Sequence, residues 1–210
     1  VQFVVNEKLE DEAYKLEVNS DRVIIISKGN AGFLYGIETL RQLLPESIES
    51  SEKISNAEWI VPNVTISDQP RYKYRGLMLD VSRHFFKMDY IKKTIDRMAM
   101  LKMNVLHFHL VDDQGWRIEI KKYPKLTEVG AWRVDQEDKH WDGRYTTTAD
   151  EKGTYGGFYT QEELKELVAY ASTKNVEIIP EIEMPAHVSS AIAAYPELSC
   201  HERPIGVPSG

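Results

Sequence analysis

Three short segments concentrate the side chains that could do chemistry. They are Asp80-Val81-Ser82-Arg83-His84, Asp112-Asp113-Gln114-Gly115-Trp116 and Glu181-Ile182-Glu183-Met184-Pro185-Ala186-His187. Arg83 offers a rigid fork of donors suited to sugar hydroxyls or a carboxylate, and its bland alternative is an ion pair with Asp80 or Asp112. Asp112 with His187 is the kind of acid–imidazole pair that orients a catalytic carboxyl and tunes its proton affinity. Glu183 is placed to pair with His187 or with a substrate hydroxyl. Asp113 reads as a cap for the segment that follows. His107 and His109 alternate along one run, so both face one side. Packing inside the fold is the favoured reading for them, and metal ligation is the alternative. Trp116 and Trp141 could stack on sugar rings, whereas Trp132 reads as loop packing.

These segments matter because of where the surrounding pattern places them. Tyr74–Val81, Asn104–Val111 and Val176–Ile182 are apolar runs of strand character. Met88–Met103 carries apolar residues at helical spacing, Gln161–Lys174 reads as a second helix with Thr160 as its N-cap, and Ser189–Ala194 begins a third. Strands alternating with helices of this length predict βαβ units and a parallel sheet. In such folds functional residues gather at the carboxyl ends of strands, and all three segments lie there. About three β/α units are present, against roughly 250 residues for a full eightfold barrel. The reading is therefore a smaller open sheet or a truncated barrel. The long segment from Asp112 to Phe158 is expected to be functional.

Residues 1–68 have a different texture. Tyr14–Val18 and Arg22–Ser27 read as strands joined by the turn Asn19-Ser20-Asp21. Phe33, Leu34, Ile37, Leu40, Leu43 and Leu44 recur at helical spacing, and Trp59–Ile66 returns to strand character. Asp68-Gln69-Pro70 marks a boundary between this small α+β unit and residues 69–210.

Composition narrows the function classes. The chain has 210 residues, 26 Lys plus Arg and 33 Asp plus Glu, for a net charge of −7. That balance argues against a non-specific nucleic-acid binder. One cysteine, Cys200, excludes an internal disulfide and a cysteine-cluster zinc site. No apolar run reaches about 18 residues, so no membrane-spanning helix is expected. The chain starts at Val1 without a signal-peptide pattern and reads as an excised or processed piece.

Beyond this generic α/β reading, three blocks carry a specific resemblance. Tyr74-Arg75-Gly76-Leu77-Met78-Leu79-Asp80-Val81-Ser82-Arg83-His84-Phe85 resembles the first barrel strand of the β-N-acetylhexosaminidases, glycoside hydrolase family 20. His107-Phe108-His109-Leu110-Val111-Asp112-Asp113-Gln114-Gly115-Trp116-Arg117 is similar to that family's second strand and loop. Pro180-Glu181-Ile182-Glu183-Met184-Pro185-Ala186-His187 resembles its third. Gly32–Leu44 is similar to the helix of the small domain that precedes the barrel. The likeness spans nearly the whole chain.

The resemblance implies a partial (β/α)8 TIM barrel preceded by a small α+β domain. It implies a retaining hydrolase that releases terminal β-linked N-acetylglucosamine or N-acetylgalactosamine. The substrate's own acetamido oxygen is the nucleophile, forming an oxazolinium, and no metal or organic cofactor is required. By position, Arg83 and Glu183 match substrate-binding residues, and Asp112 and His187 match the network that supports the general acid. Glu183 stands where Asp is usual and Ala186 where Gly is usual. The family's catalytic Asp-Glu pair follows the fourth barrel strand and is expected beyond Gly210, so residues 1–210 by themselves are expected to be inactive. Such enzymes meet their glycans in the periplasm, at the cell surface or outside the cell.

An open partial barrel is also expected to self-associate through exposed strand edges. Two rival readings stand beside this one. The first is a metal-dependent barrel hydrolase using His107, His109 and Asp112. The second is a non-catalytic carbohydrate-binding or assembly module.

Overall fold

A computed structural model describes all residues 1–210, which divide into two compact units. The first comprises Val1–Arg75 with Asp96–Asn104 and Thr173–Val176. Its sheet contains β1 (Gln2–Val5), β2 (Tyr14–Val18), β3 (Val23–Ser27) and β4 (Val64–Asp68) in the order β1-β3-β2-β4. Strands β2 and β3 form the expected hairpin. The Asn19 side-chain oxygen accepts the amides of Asp21 and Arg22, which closes the turn. Along β2 the alternation is strict, with Tyr14, Leu16 and Val18 buried. They meet Ile25 of β3 and Tyr35 of α1 (Asn30–Leu43) to form the core of the unit.

Glycines at 32 and 36 let α1 settle onto the sheet. A β-carbon on Gly32 would meet Ser27 and the Ala13 carbonyl, and one on Gly36 would meet Ile25. Two differences from the sequence reading appear here. Strand β1 pairs in parallel with β3, but all four of its residues are exposed, so no amphipathic signal marked it. The third expected strand begins later, at Val64, because Trp59–Asn63 do not join the sheet.

The second unit comprises Gly76–Ile95, Val105–Ser172 and Glu177–Gly210. Its parallel sheet has three strands, β5 (Gly76–Asp80), β6 (Val105–His109) and β11 (Glu177–Glu181), in the order β11-β6-β5. Helix α2 (Met88–Met100) links the first two strands, with Ile91 and Ile95 fully buried. Central β6 is covered on both faces, whereas β5 and β11 each pair on one side only.

The stretch between β6 and β11 carries several short elements. Strands β7 (Val111–Asp112) and β8 (Gly115–Trp116) make a tight hairpin, followed by α3 (Lys125–Glu128). Strands β9 (Trp132–Arg133) and β10 (Tyr155–Gly156) pair antiparallel, and α4 (Gln161–Thr173) leads to β11. Thr160 and Glu163 exchange backbone and side-chain bonds at the start of α4, which is a capping box. Helix α5 (Ser189–Ala194) follows β11. No helix is long and apolar enough to cross a membrane.

Two buried arginines hold this stretch. Arg117 donates to the carbonyls of Val81, Ala131, Gly157, Ser82 and Gln114 at 2.6–3.4 Å. Burial, then the Arg133 charge, pushes its guanidinium down to about 10. Arg133 donates to the Arg83 carbonyl at 2.8 Å and to Glu137 at 2.7 Å.

Candidate active site

The register of the parallel sheet builds the site. Asp80 of β5 lies opposite His109 of β6, and His109 lies opposite Glu181 of β11. Three ionisable side chains thus stand in one row at the carboxyl ends of three strands. The row below holds Met78, His107 and Ile179. Because side chains alternate along β6, His107 and His109 both emerge on the Glu181 side while Phe108 is buried on the other.

Asp112 is the centre of the cluster, with a side chain only 1% exposed. Its Oδ2 lies 2.7 Å from Arg83 Nη2 and 2.9 Å from His109 Nε2. Its Oδ1 accepts the Asp113 amide at 2.7 Å and lies 3.2 Å from His187 Nδ1. The β7–β8 hairpin folds Asp112 inward, and its backbone carbonyl accepts the Ser190 hydroxyl of α5 at 2.8 Å.

Arg83 bridges two carboxylates, with Nη1 2.7 Å from Asp80 Oδ2 and Nη2 on Asp112. Asp80 also accepts the amides of Ser82 and Arg83, so the turn after β5 is locked as an Asx turn. Burial works to lower the Arg83 proton affinity, but Asp80 and Asp112 more than offset it and raise it. The Arg83 side chain remains 40% exposed. Arg83 is therefore ion-paired, as one of its two readings has it, and its side chain stays partly exposed.

His187 reaches Asp112 because its backbone is left-handed, with φ 52°, which turns the ring back over the strand end. The ring is 49% exposed and also lies 3.4 Å from Asp113 Oδ2. Asp113 does not cap the segment that follows it but the start of α5: its Oδ1 accepts the Ser189 amide at 3.0 Å and hydroxyl at 2.7 Å. Burial works to raise the Asp113 carboxyl, yet the bonds from Ser189 and His187 carry it below the usual range.

On the other side, Glu181 Oε2 lies 2.6 Å from His109 Nδ1 and 2.7 Å from His107 Nε2. The His109 bond, with further help from His107 and Glu183, holds Glu181 below the ordinary carboxylate range despite burial. Burial would lower His109, but Glu181 and Asp112 raise it.

Several expectations need correction. Glu183 gathers with His109 and Glu181 rather than pairing with His187, because alternation along the chain after β11 puts 181 and 183 on one side. Trp116 does not present a stacking face. It is 4% exposed, and its indole N–H donates to the Ile118 carbonyl at 2.7 Å. The β7–β8 hairpin turns this ring into the core. Trp141 is exposed, but Arg144 lies over its ring at 5.2 Å and occupies one face. Trp132 is fixed by a bond to the Thr127 carbonyl, as loop packing requires. The trio His107, His109 and Asp112 does not surround one point. The two histidines converge on Glu181, and Asp112 meets the far nitrogen of His109.

Two other sets of ligand-type atoms come within 4.8 Å of one another, His109–Glu181–Glu183 and Asp112–Asp113–His187. Their contacts already pair imidazole with carboxylate, and a cation would have to displace those pairs. Sequence reasoning missed Glu181, Arg117 and Arg133 as parts of the site's support. For Glu181 the signal was present, since it ends a strand beside two histidines. For the arginines the acceptors are backbone carbonyls scattered along the chain, which no motif displays.

This geometry can grip hydroxyls through Arg83 and support an acid beside His187, with a buried ion-pair network behind both. Residues 72–207 match the description "Glycosyl hydrolase family 20, catalytic domain", and residues 2–69 match "Glycosyl hydrolase family 20, domain 2". A β-hexosaminidase of Porphyromonas gingivalis is 49% identical over 195 residues, covering 93% of this chain and 23% of its own length. A β-hexosaminidase of Vibrio furnissii is 40% identical over 192 residues, covering 91% of this chain and 29% of its own. The Streptomyces plicatus N-acetyl-β-hexosaminidase, solved in complex with Thio-NAglucal, superposes with a TM-score of 0.87 at 40% identity, over 99% of this chain and 38% of that one. The chain therefore spans less than a third of the length of these two curated relatives. Its small sheet-and-helix unit and its three-stranded start of a (β/α)8 barrel carry both of the family's domain signatures, and the chain belongs to glycosyl hydrolase family 20.

Proposed function

We propose that this chain supplies the sugar-binding and acid-supporting part of a retaining β-N-acetylhexosaminidase acting on glycans that end in β-linked N-acetylglucosamine or N-acetylgalactosamine. The observation that carries the reading is Arg83, braced by Asp80 and Asp112 yet still exposed at the strand rim. A guanidinium held at both ends loses little freedom when sugar hydroxyls bind it. Its fork takes the ring hydroxyls of the terminal sugar, and Glu183 adds an acceptor. Asp112, through His187, orients and charges the group that protonates the leaving oxygen. The acetamido oxygen of the substrate attacks the anomeric carbon, so no protein nucleophile is needed.

The acid and the carboxylate that steadies the acetamido group follow a fourth strand in this family, and residues 1–210 contain three such strands. Full-length protein should hydrolyse an aryl N-acetyl-β-glucosaminide with retention, while residues 1–210 alone should show no turnover. Arg83→Ala in the full-length protein should lower kcat/KM at least a hundredfold, about 2.7 kcal/mol of transition-state binding. Turnover that persists undiminished in that variant overturns the reading.

Strands β5 and β11 leave Leu77, Met78 and Ile179 exposed beside unpaired edges. Residues 1–210 alone should therefore self-associate at high concentration. A monomer throughout a light-scattering series contradicts this.

A further inference from the structure

His109 has no role in the sugar contacts above, yet it is the most enclosed histidine of the cluster, with a side chain 7% exposed. Both of its ring nitrogens face carboxylate oxygens, Nδ1 at 2.6 Å from Glu181 Oε2 and Nε2 at 2.9 Å from Asp112 Oδ2. A neutral imidazole carries one N–H and one lone pair, so it can satisfy only one of them. Each of those oxygens also faces a second nitrogen, which favours its anion over a carboxylic acid. Glu181 Oε2 already faces His107 Nε2 at 2.7 Å, and Asp112 Oδ2 already faces the Arg83 guanidinium at 2.7 Å.

We propose that His109 is a positioning residue, held as a doubly protonated imidazolium between Glu181 and Asp112, and that it sets the orientation of Asp112 beneath Arg83. The charged and titratable groups facing it come from each neighbouring element. Asp80 stands at the end of β5, Asp112 follows β6, and Glu181 ends β11. Two further groups face it through these acids, Arg83 across Asp112 and His107 across Glu181. Glu183, beyond the end of β11, also comes within 4.8 Å of it. Burial opposes the ring's cation, while Glu181, Asp112 and Asp80 favour it. The clamp ties the loop after β6 to the strand end of β11. It leaves Asp112 Oδ1 directed at His187. The catalytic half of this inference rests on the hydrolase reading; the protonation state does not.

The test is long-range 1H–15N correlation on full-length protein labelled at histidine. His109→Gln assigns the resonance by its loss, and Glu181→Gln assigns it by displacement if the first variant does not fold. The expected result is two protonated ring nitrogens for His109 at about pH 8, well above the ordinary histidine midpoint of about 6.5. In Glu181→Gln the midpoint should fall by at least one unit, a tenfold loss of proton affinity. The same variant should shift the alkaline limb of the kcat/KM profile downward. A neutral ring with one bare nitrogen at about pH 8 in the unmodified protein overturns the proposal. Absence of turnover in the unmodified protein instead overturns the hydrolase reading, and the nitrogen spectrum still decides the state of His109.

Discussion

Arg133 donates from Nη2 to the backbone carbonyl of Arg83 across 2.8 Å, so one buried guanidinium carries the chain segment that presents another. Arg133 in turn pairs with Glu137 at 2.7 Å, and Glu137 also takes Arg144 at 3.1 Å. Burial works against the Glu137 anion, but these two arginines hold its carboxyl below the usual range. The turn that positions Arg83 is therefore secured from below by side chains some 50 residues away along the sequence.

Arg133→Lys keeps the charge and loses the fork. A lysine cannot serve Gln114, Arg83 and Glu137 together in the observed directions. The variant should be less stable by about 1–3 kcal/mol in urea denaturation, the range for a buried acceptor left without its donor. In the full-length protein it should raise KM for an aryl glycoside more than it lowers kcat. An unchanged urea midpoint contradicts the support role.

Arg117→Met should be more severe. Five carbonyls would lose this donor at once. Ala131 keeps the Gly157 amide and Gln114 keeps Arg133, which leaves those of Val81, Ser82 and Gly157. Each buried acceptor without a partner costs about 1–3 kcal/mol, so the sum is at least about 3 kcal/mol and threatens folding altogether. Arg117→Lys, which can still reach one or two of the carbonyls, should fold with a lowered melting temperature. Equal stability of Arg117→Lys and the unmodified protein would refute this.

The His109–Glu181 pair predicts a pH window for stability. Glu181 is lowered from 4.5, so its contribution is present above 4.5 and is lost as pH falls through its lower folded value. His109 is raised from 6.5, so its contribution is full below 6.5 and is lost as pH rises through its higher folded value. Both contribute fully between these limits. A melting-temperature series from about pH 3 to about pH 9 should show a maximum there, and Glu181→Gln should flatten the alkaline side. An alkaline limb of unchanged steepness in Glu181→Gln counts against the pairing.

In the first unit, the Tyr35 hydroxyl joins Glu12 at 2.7 Å, Arg75 at 2.7 Å and Asn175 at 2.8 Å. Burial, reinforced by the bond to Glu12, pushes the phenol up to about 12, so it stays protonated and keeps donating to Glu12. Tyr35→Phe removes the hydroxyl without changing the ring. The expected loss is about 0.5–1.5 kcal/mol by chemical denaturation, the net worth of a hydrogen bond, because Glu12 and Arg75 keep each other as partners. A loss below about 0.5 kcal/mol would show that water replaces the hydroxyl freely.

Much of the architecture was legible because it depends on local period and capping. Helical spacing marked α1 and α2, and Thr160 as an N-cap marked the start of α4. The helix expected to begin at Ser189–Ala194 starts there in the structure and ends at Ala194. Strand β1 was illegible because its exposed side chains leave only backbone pairing with β3 to define it. The site's chemistry-bearing segments were visible at strand ends, since a βα pattern dictates where such ends fall.

What decided the rest was register and enclosure. The sheet register, set by three strands distant in sequence, puts Asp80, His109 and Glu181 in one row. The hairpin after β6 turns Trp116 inward and Asp112 toward Arg83. Arg117 and Arg133 matter through carbonyls that every residue possesses, so their partners are defined only once the chain is folded. Sequence therefore determined which residue types arrive at the rim, because that follows from periods of 2.0 and 3.6. Tertiary structure determined which of them share a proton or an ion pair, because hydrogen bonds act only over about 3 Å and sequence spacing does not measure that distance.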